Sequence, residues 1–234
     1  HWFARVLAQP RLRWMLALSG VLIAFNWGLY IWAVNAGHVV ETSLGYFINP
    51  LLNVVLGVAV LRERLRPAQW AAVAIAAGGV AWLTLDYGRL PWIALALATS
   101  FAVYGLVRKL AAVDSVAGLG VESVLLLPFA LGALAWTGMR TGAMFGPDAL
   151  SAALLVLAGI LTALPLVGFA YAVRRVQLST VGLLQYIAPT LQLLIGVLVL
   201  GEAFDRDRAT GFALIWIALA LFAGEGLLRT RRTR

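Results

Sequence analysis

The sequence predicts an all-helical membrane protein, and three observations lead to this prediction. Hydrophobic residues make up 62% of the 234-residue chain and charged residues only 12%, too few for the surface of a water-soluble domain. Long stretches such as residues 152–173 are apolar on every side. A membrane β-barrel would instead show segments of about ten residues with alternating polarity. Helices in a bilayer are therefore the expected architecture.

Eight stretches approach the length of about 20 mostly apolar residues that a helix needs to cross a bilayer. In chain order they are 14–34, 42–61, 67–84, 91–108, 117–137, 151–173, 180–200 and 208–228. Fourteen of the 18 Lys and Arg residues fall before the first span or after the second, fourth, sixth and eighth. By the positive-inside rule, we expect both ends of the chain in the cytoplasm.

The chain matches itself at a spacing of 139 residues, which indicates an internal repeat. The equivalent pairs include Gly20 and Gly159, Pro50 and Pro189, Gly57 and Gly196, and Glu63 and Glu202. Because each span lies five spans before its equivalent, the two copies would have opposite orientations in the membrane. Inverted repeats of this kind build secondary transporters with a substrate site near the bilayer midplane.

The same offset predicts how the chain divides. Residues 87–228 would form a complete second repeat of five helices, and residues 229–234 a basic cytoplasmic tail. Residues 1–86 contain only three spans, equivalent to helices 3 to 5 of a repeat. We therefore expect the first two helices of the first repeat to be absent here, and the complete protein to have ten.

Four stretches carry a resemblance to a known family. They are "NWGLYIWAVNAGHVVETSLGYFINPLLNVVLGVAVLRERL", "SFAVYGLVRK", "VESVLLLP" and "LSTVGLLQYIAPTLQLLIGVLVLGE". With these in order, the chain resembles the RarD branch of the EamA-type drug/metabolite transporter (DMT) superfamily over essentially its whole length. The resemblance implies a ten-helix permease of the bacterial inner (plasma) membrane, built from two inverted EamA repeats.

Polar residues inside the spans are candidates for the substrate pathway. Tyr46, Asn49 and Asn53 share one helix face that ends in Gly57, and Tyr46 and Asn53 are equivalent to Gln185 and Gln192. Proline has no N–H, so Pro50 and Pro189 leave the carbonyls one turn earlier, those of Tyr46 and Gln185, without helical donors. Packing between helices is the alternative role for these amides. The full set is Asn26, Tyr30, Tyr46, Asn49, Pro50, Asn53, Tyr104, Gln185, Tyr186, Pro189 and Gln192.

Charged residues within or beside the spans have two alternative roles each. Glu122 either carries a coupling proton or binds a cationic substrate group, or else forms a structural ion pair with Arg108 or Lys109. Glu63 and Glu202 either form a repeated turn or gate latch or are solvated helix ends. His38 and Glu41 have too few neighbouring ligands for a metal site, so we expect exposed loop polarity there.

A secondary transporter for a small metabolite or drug-like solute, working by alternating access, is the predicted function. A channel-like facilitator is the first alternative. An intramembrane enzyme is the second, although the spans contain no His and the chain no Cys. We expect no cofactor, no metal and no nucleic-acid partner. The expected partners are the bilayer, an unidentified small-molecule substrate and, as an open alternative, a coupling proton or cation.

Overall fold

A computed structural model of the chain describes residues 8–85, 90–142, 148–198 and 206–232, and all regular secondary structure within these ranges is α-helical. The helices are α1 (Pro10–Asn35), α2 (Val39–Ala59), α3 (Pro67–Leu85), α4 (Trp92–Leu110), α5 (Ser115–Thr141), α6 (Ala149–Arg175), α7 (Leu178–Leu184), α8 (Ile187–Leu198) and α9 (Arg206–Arg232). The prediction of an all-helical membrane protein is confirmed, because seven spans in the described part are long and apolar enough to cross a bilayer. The apolar part of α9, Ala209–Glu225, is shorter.

The predicted span 180–200 differs from the structure, which divides it between α7 and α8 at Gln185 and Tyr186. Proline at 189 has no N–H to donate to the carbonyl of Gln185, four residues earlier. That carbonyl instead accepts from the N–H of Ala188 over 3.1 Å, which tightens the chain into a turn. Pro189 therefore disturbs the helix as the sequence indicated, but the sequence did not predict that Gln185 and Tyr186 would leave it.

Packing divides the chain into two compact units. Unit 1 comprises His1–Ala24 and Val107–Arg175, and its core contains Leu16, Ala111 and Val121. Unit 2 comprises Phe25–Leu106 and Val176–Arg234. The core of unit 2 draws on α2, α3, α7 and α9, and its buried members are Phe47, Val54, Ala72, Ala76, Val80, Leu183, Tyr186, Phe212, Ile215 and Ala218.

Within unit 2, α2 and α7 run antiparallel with their backbones in close contact. A Cβ atom at Gly182 would lie 2.6 Å from the carbonyl oxygen of Pro50, and a Cβ at Gly57 would lie 3.2 Å from the backbone nitrogen of Ser179. Side chains at these two positions would force the helices apart. The two glycines thus allow α7 to pack closely against the middle and the C-terminal end of α2.

Candidate functional site

A cavity of about 500 Å³ lies in unit 2, beside the first half of α2 and the break between α7 and α8. Residues of α1 and α4 complete its wall. The lining residues are Asn26, Trp27, Tyr30, Thr42, Gly45, Tyr46, Asn49, Leu97, Ala98, Phe101, Leu184, Gln185, Ile187, Ala188 and Leu191. A cavity of this volume, mostly apolar with a few polar groups, is typical of small-molecule sites.

Three side-chain amides form a hydrogen-bonded cluster at the buried edge of this cavity, and two of them, Asn49 and Gln185, line its wall. The Oε1 atom of Gln185 accepts from the Nδ2 of Asn53 over 2.6 Å and from the Nδ2 of Asn49 over 3.2 Å. Asn49 is 8% exposed and Asn53 is fully buried. The structure therefore brings together three of the residues that the sequence singled out. They come from α2 and from the turn that follows α7.

The hydroxyl of Tyr186 donates to the carbonyl oxygen of Phe47 over 3.0 Å, beside the amide cluster. Phe47 lies one residue after Tyr46. The carbonyl of Tyr46 has no helical donor, because Pro50, four residues later, has no N–H. Unlike α7 and α8, α2 stays continuous through its proline. Tyr186 thus contributes a side-chain contact to the segment of α2 that its proline weakens.

Asn26, Tyr30 and Tyr46 also line the cavity, as their predicted role requires. The Nδ2 of Asn26 donates to the carbonyl oxygen of Leu97 and to the hydroxyl of Ser100, which ties α1 to α4. The rings of Tyr30 and Tyr46 meet edge to face with centroids 6.1 Å apart. These contacts hold the aromatic wall in place.

One other candidate lies away from the cavity, and the side chains of two more are outside the described part of the chain. Tyr104 is fully buried and does not line the cavity. Gln192 belongs to α8, but its side chain lies outside the part of the chain that the structure describes. Glu202 also lies outside the described residues.

At the other end of α2, the carboxylate of Glu63 binds the first turn of α7. Its two oxygens accept from the N–H of Leu178 over 2.7 Å and from the N–H and hydroxyl of Ser179 over 3.0 and 2.7 Å. A carboxylate at a helix N-terminus satisfies backbone donors that have no helical partner. Glu63 is therefore bound to α7 and is not a simply solvated helix end.

Unit 1 contains a buried charge cluster made of Ser19, Arg108 and Glu122. The Nη1 of Arg108 lies 3.3 Å from the Oε1 of Glu122, and each side chain is 1% exposed. The same Oε1 accepts from the hydroxyl of Ser19 over 2.5 Å, and the Nη2 of Arg108 donates to the carbonyl of Ser115 over 3.1 Å. The structure thus contains the ion pair with Arg108 that the structural role of Glu122 requires.

The interpretation of Glu41 as exposed loop polarity is wrong. Glu41 lies in the first turn of α2, is 2% exposed, and accepts a hydrogen bond from the N–H of Ile93 over 2.9 Å. Ile93 lies in the first turn of α4, so this carboxylate caps a neighbouring helix, as Glu63 does. No group of three metal-binding side chains occurs among the residues that the structure describes.

The sequence reasoning missed several residues of these sites. Thr42 and Phe101 line the cavity, and Ser19 completes the charge cluster. Nothing in the local pattern around Ser19 indicated its partner 103 residues away.

Comparison with known proteins gives a family match along most of the chain. The model of the EamA-like transporter family matches residues 2–85 and 90–224. Protein RarD of Streptomyces exfoliatus is 47% identical over 234 residues, which cover 100% of this chain and 74% of that protein. Protein RarD of Escherichia coli K12 is 47% identical over 229 residues, with 97% and 77% covered.

A more distant relative and a solved structure agree with this match. The chloramphenicol-sensitive protein RarD of Pseudomonas aeruginosa is 36% identical over 240 residues, with 99% of this chain and 78% of that protein covered. A crystal structure that is 26% identical superposes with a TM-score of 0.66, covering 93% of this chain and 77% of the other.

Proposed function

Because the chain belongs to the EamA-like transporter family, we propose that it moves a small solute across the bacterial inner membrane by alternating access. The cavity of unit 2 is the proposed substrate site, and the amide cluster of Asn49, Asn53 and Gln185 is its polar end. In this mechanism the site opens to one side of the membrane and then to the other, never to both at once.

The observation that carries this proposal is the difference between the two ends of the α2 and α7–α8 pair. Between Pro50 and Glu63, α2 contacts α7 through Gly182, Gly57 and the carboxylate of Glu63. Between Thr42 and Asn49, α2 lines the cavity instead. Helices that pack tightly on one side of a substrate site and separate on the other are what one state of an alternating-access cycle requires.

Two inverted repeats are part of the proposal, with residues 87–228 as a complete second repeat and residues 1–86 as the last three helices of the first. The contact between Phe47 and Tyr186 supports this arrangement, since these residues are 139 apart and therefore equivalent. Residues on a two-fold axis contact their own equivalents, and the antiparallel course of α2 and α7 fits an axis in the membrane plane.

The orientation proposed from the Lys and Arg distribution places both chain ends, and the turn that carries Glu63, in the cytoplasm. The cavity then lies toward the outer side. The structure would correspond to an outward-open state whose cytoplasmic end is held closed by Glu63.

Exchange flux in proteoliposomes that contain the full-length protein tests alternating access. A panel of labelled metabolites is screened first, and the transported solute is then placed on the opposite side without label. We expect saturable uptake that the unlabelled solute accelerates, because a loaded carrier returns faster than an empty one. Non-saturating flux without acceleration would contradict alternating access and favour the channel-like alternative.

A further inference from the structure

We propose that the solute bound by this cavity is an uncharged aromatic molecule that presents hydrogen-bond donors, such as a primary carboxamide. The inference rests on the proposed function, since it assigns a substrate class to the same site. It draws on the chemistry of the cavity wall and on two amide oxygens at its buried edge.

Aromatic rings form much of the wall. Trp27, Tyr30, Tyr46 and Phe101 line the cavity, and its remaining lining residues are mostly aliphatic. A volume of about 500 Å³ lies within the range of sites that bury a drug-sized ligand. Flat ring systems bind well between aromatic side chains, because they gain offset-stacked and edge-to-face contacts as well as buried apolar area. The wall therefore favours an aromatic solute over a flexible, fully hydrated one.

Among the described residues, no ionised side chain lines the cavity. Its fifteen described lining residues include no Asp, Glu, His, Lys or Arg. A charged group moved from water into such a site would lose hydration without meeting an opposite charge. The side chains that line the site therefore disfavour both anionic and cationic solutes.

The amide cluster favours a solute that carries a hydrogen-bond donor. Both Asn49 and Asn53 use their Nδ2 groups on the same acceptor, Oε1 of Gln185. Their Oδ1 atoms are buried and have no hydrogen-bond partner among the described residues. A buried acceptor without a donor is unfavourable, so a ligand N–H or O–H that reaches the Oδ1 of Asn49 would gain a hydrogen bond there. Asn49 is the nearer of the two, because it lines the cavity directly.

Four naphthalene derivatives of similar shape test the inference by equilibrium dialysis against the full-length protein in nanodiscs. The probe 2-naphthamide is neutral with two N–H donors, methyl 2-naphthoate is neutral with none, 2-naphthoate is an anion and 2-naphthylmethylammonium is a cation. Empty nanodiscs correct for partition into lipid. We expect the carboxamide to bind about tenfold more tightly than the ester, a difference that one buried hydrogen bond can supply. Both ions should bind more weakly than the carboxamide.

The Asn49→Leu variant should remove the preference for the carboxamide and leave binding of the ester nearly unchanged. Asn35→Leu is the matched control, since Asn35 is exposed at the end of α1 and donates only to the carbonyl of Ile31. Equal binding of carboxamide and ester by the unmodified protein, or tighter binding of either ion, would overturn the inference, and that comparison does not depend on any variant folding.

The binding and flux experiments test the substrate class and alternating access separately. Selective binding of the carboxamide without accelerated exchange of any solute would retain the inference and overturn alternating access. Accelerated exchange without selectivity among the four probes would overturn the inference alone.

Discussion

Both units bury polar side chains inside a membrane protein, but they stabilise these side chains in different ways. In unit 1 the buried carboxylate of Glu122 is paired with the guanidinium of Arg108 and with Ser19. In unit 2 the polar cluster beside the cavity is made of uncharged amides, and two of its oxygens have no partner among the described residues.

The difference indicates different roles. An ionic cluster that binds its own counter-charge is internally compensated and stabilises one arrangement of helices. A buried amide that lacks one hydrogen bond costs less free energy than a buried charge that lacks its counter-charge. The amide oxygen can therefore accept a hydrogen bond from a ligand that binds and dissociates. Disruption of the charge cluster should therefore impair stability first, whereas disruption of the amide cluster should impair transport first.

The largest effect is expected from separating the ion pair of unit 1. Arg108→Met leaves Glu122 in a fully buried site without its counter-charge, and breaking such a pair costs about 3–5 kcal/mol of unfolding free energy. The double variant Arg108→Met with Glu122→Leu should recover most of this loss, because it removes both charges. Unfolding of the purified protein by sodium dodecyl sulfate in mixed micelles measures both values.

If the single and double variants were equally unstable, charge compensation would not explain the cluster. A second measurement addresses the alternative role of Glu122. Should Glu122→Gln abolish pH-driven uptake in correctly folded protein, the carboxylate would be a proton carrier rather than a structural partner. Unchanged pH dependence would agree with the structural ion pair.

A smaller effect is expected at Glu63, a carboxylate of unit 2 that is compensated by N–H and O–H donors rather than by a cation. Glu63→Ala removes three charge-assisted hydrogen bonds from the start of α7. Because the site is only partly buried, we expect a loss of about 2 kcal/mol in the contact between α2 and α7. The contact between α2 and α7, which forms the proposed closed end of the substrate site, should then open more often.

Thiol labelling can detect this opening, since the chain contains no cysteine. A single cysteine at Val181, a buried position in α7, should be labelled faster in the Glu63→Ala background. Glu225→Ala is the control, because Glu225 forms a half-exposed ion pair with Arg66 in the same unit and has no contact with α7 among those described. Equal labelling in both backgrounds would show that Glu63 does not hold this end closed.

The sequence predicted the spans well because a run of apolar residues is a local property. It also singled out Asn49, Asn53 and Gln185, since helical spacing and the repeat place polar side chains on equivalent faces. It could not predict that Gln185 accepts from both asparagines, which depends on the antiparallel register between α2 and α7. The donors that bind Glu41 and Glu63 could not be predicted for the same reason, because they lie 52 and 115 residues away.

In the amide cluster, Asn53→Leu should reduce transport more than stability. Gln185 keeps its hydrogen bond from Asn49, so the unfolding free energy should fall by only about 1 kcal/mol. Exchange flux should fall about tenfold, as the polar end of the site loses an amide. Asn35→Leu, the same substitution at an exposed position, should leave both quantities unchanged. A correctly folded Asn53→Leu protein with full exchange activity would exclude the amide cluster from the pathway.

The smallest effect is expected at Asp114, a solvent-exposed carboxylate that caps the same helix that carries Glu122. It accepts from the N–H groups of Ala117 and Val116, and these bonds hold the pKa of Asp114 below its usual range. Its contribution to stability is therefore present above the unfolded pKa of about 3.9 and is lost as the pH falls through the lower folded pKa. Asp114→Asn keeps an oxygen for capping but cannot titrate. Thermal unfolding between about pH 5 and pH 2 should show a slightly steeper acid loss in the unmodified protein than in Asp114→Asn. Identical pH profiles would mean that the carboxylate charge contributes nothing at this exposed cap, in contrast to the buried charge of Glu122 two turns further along α5.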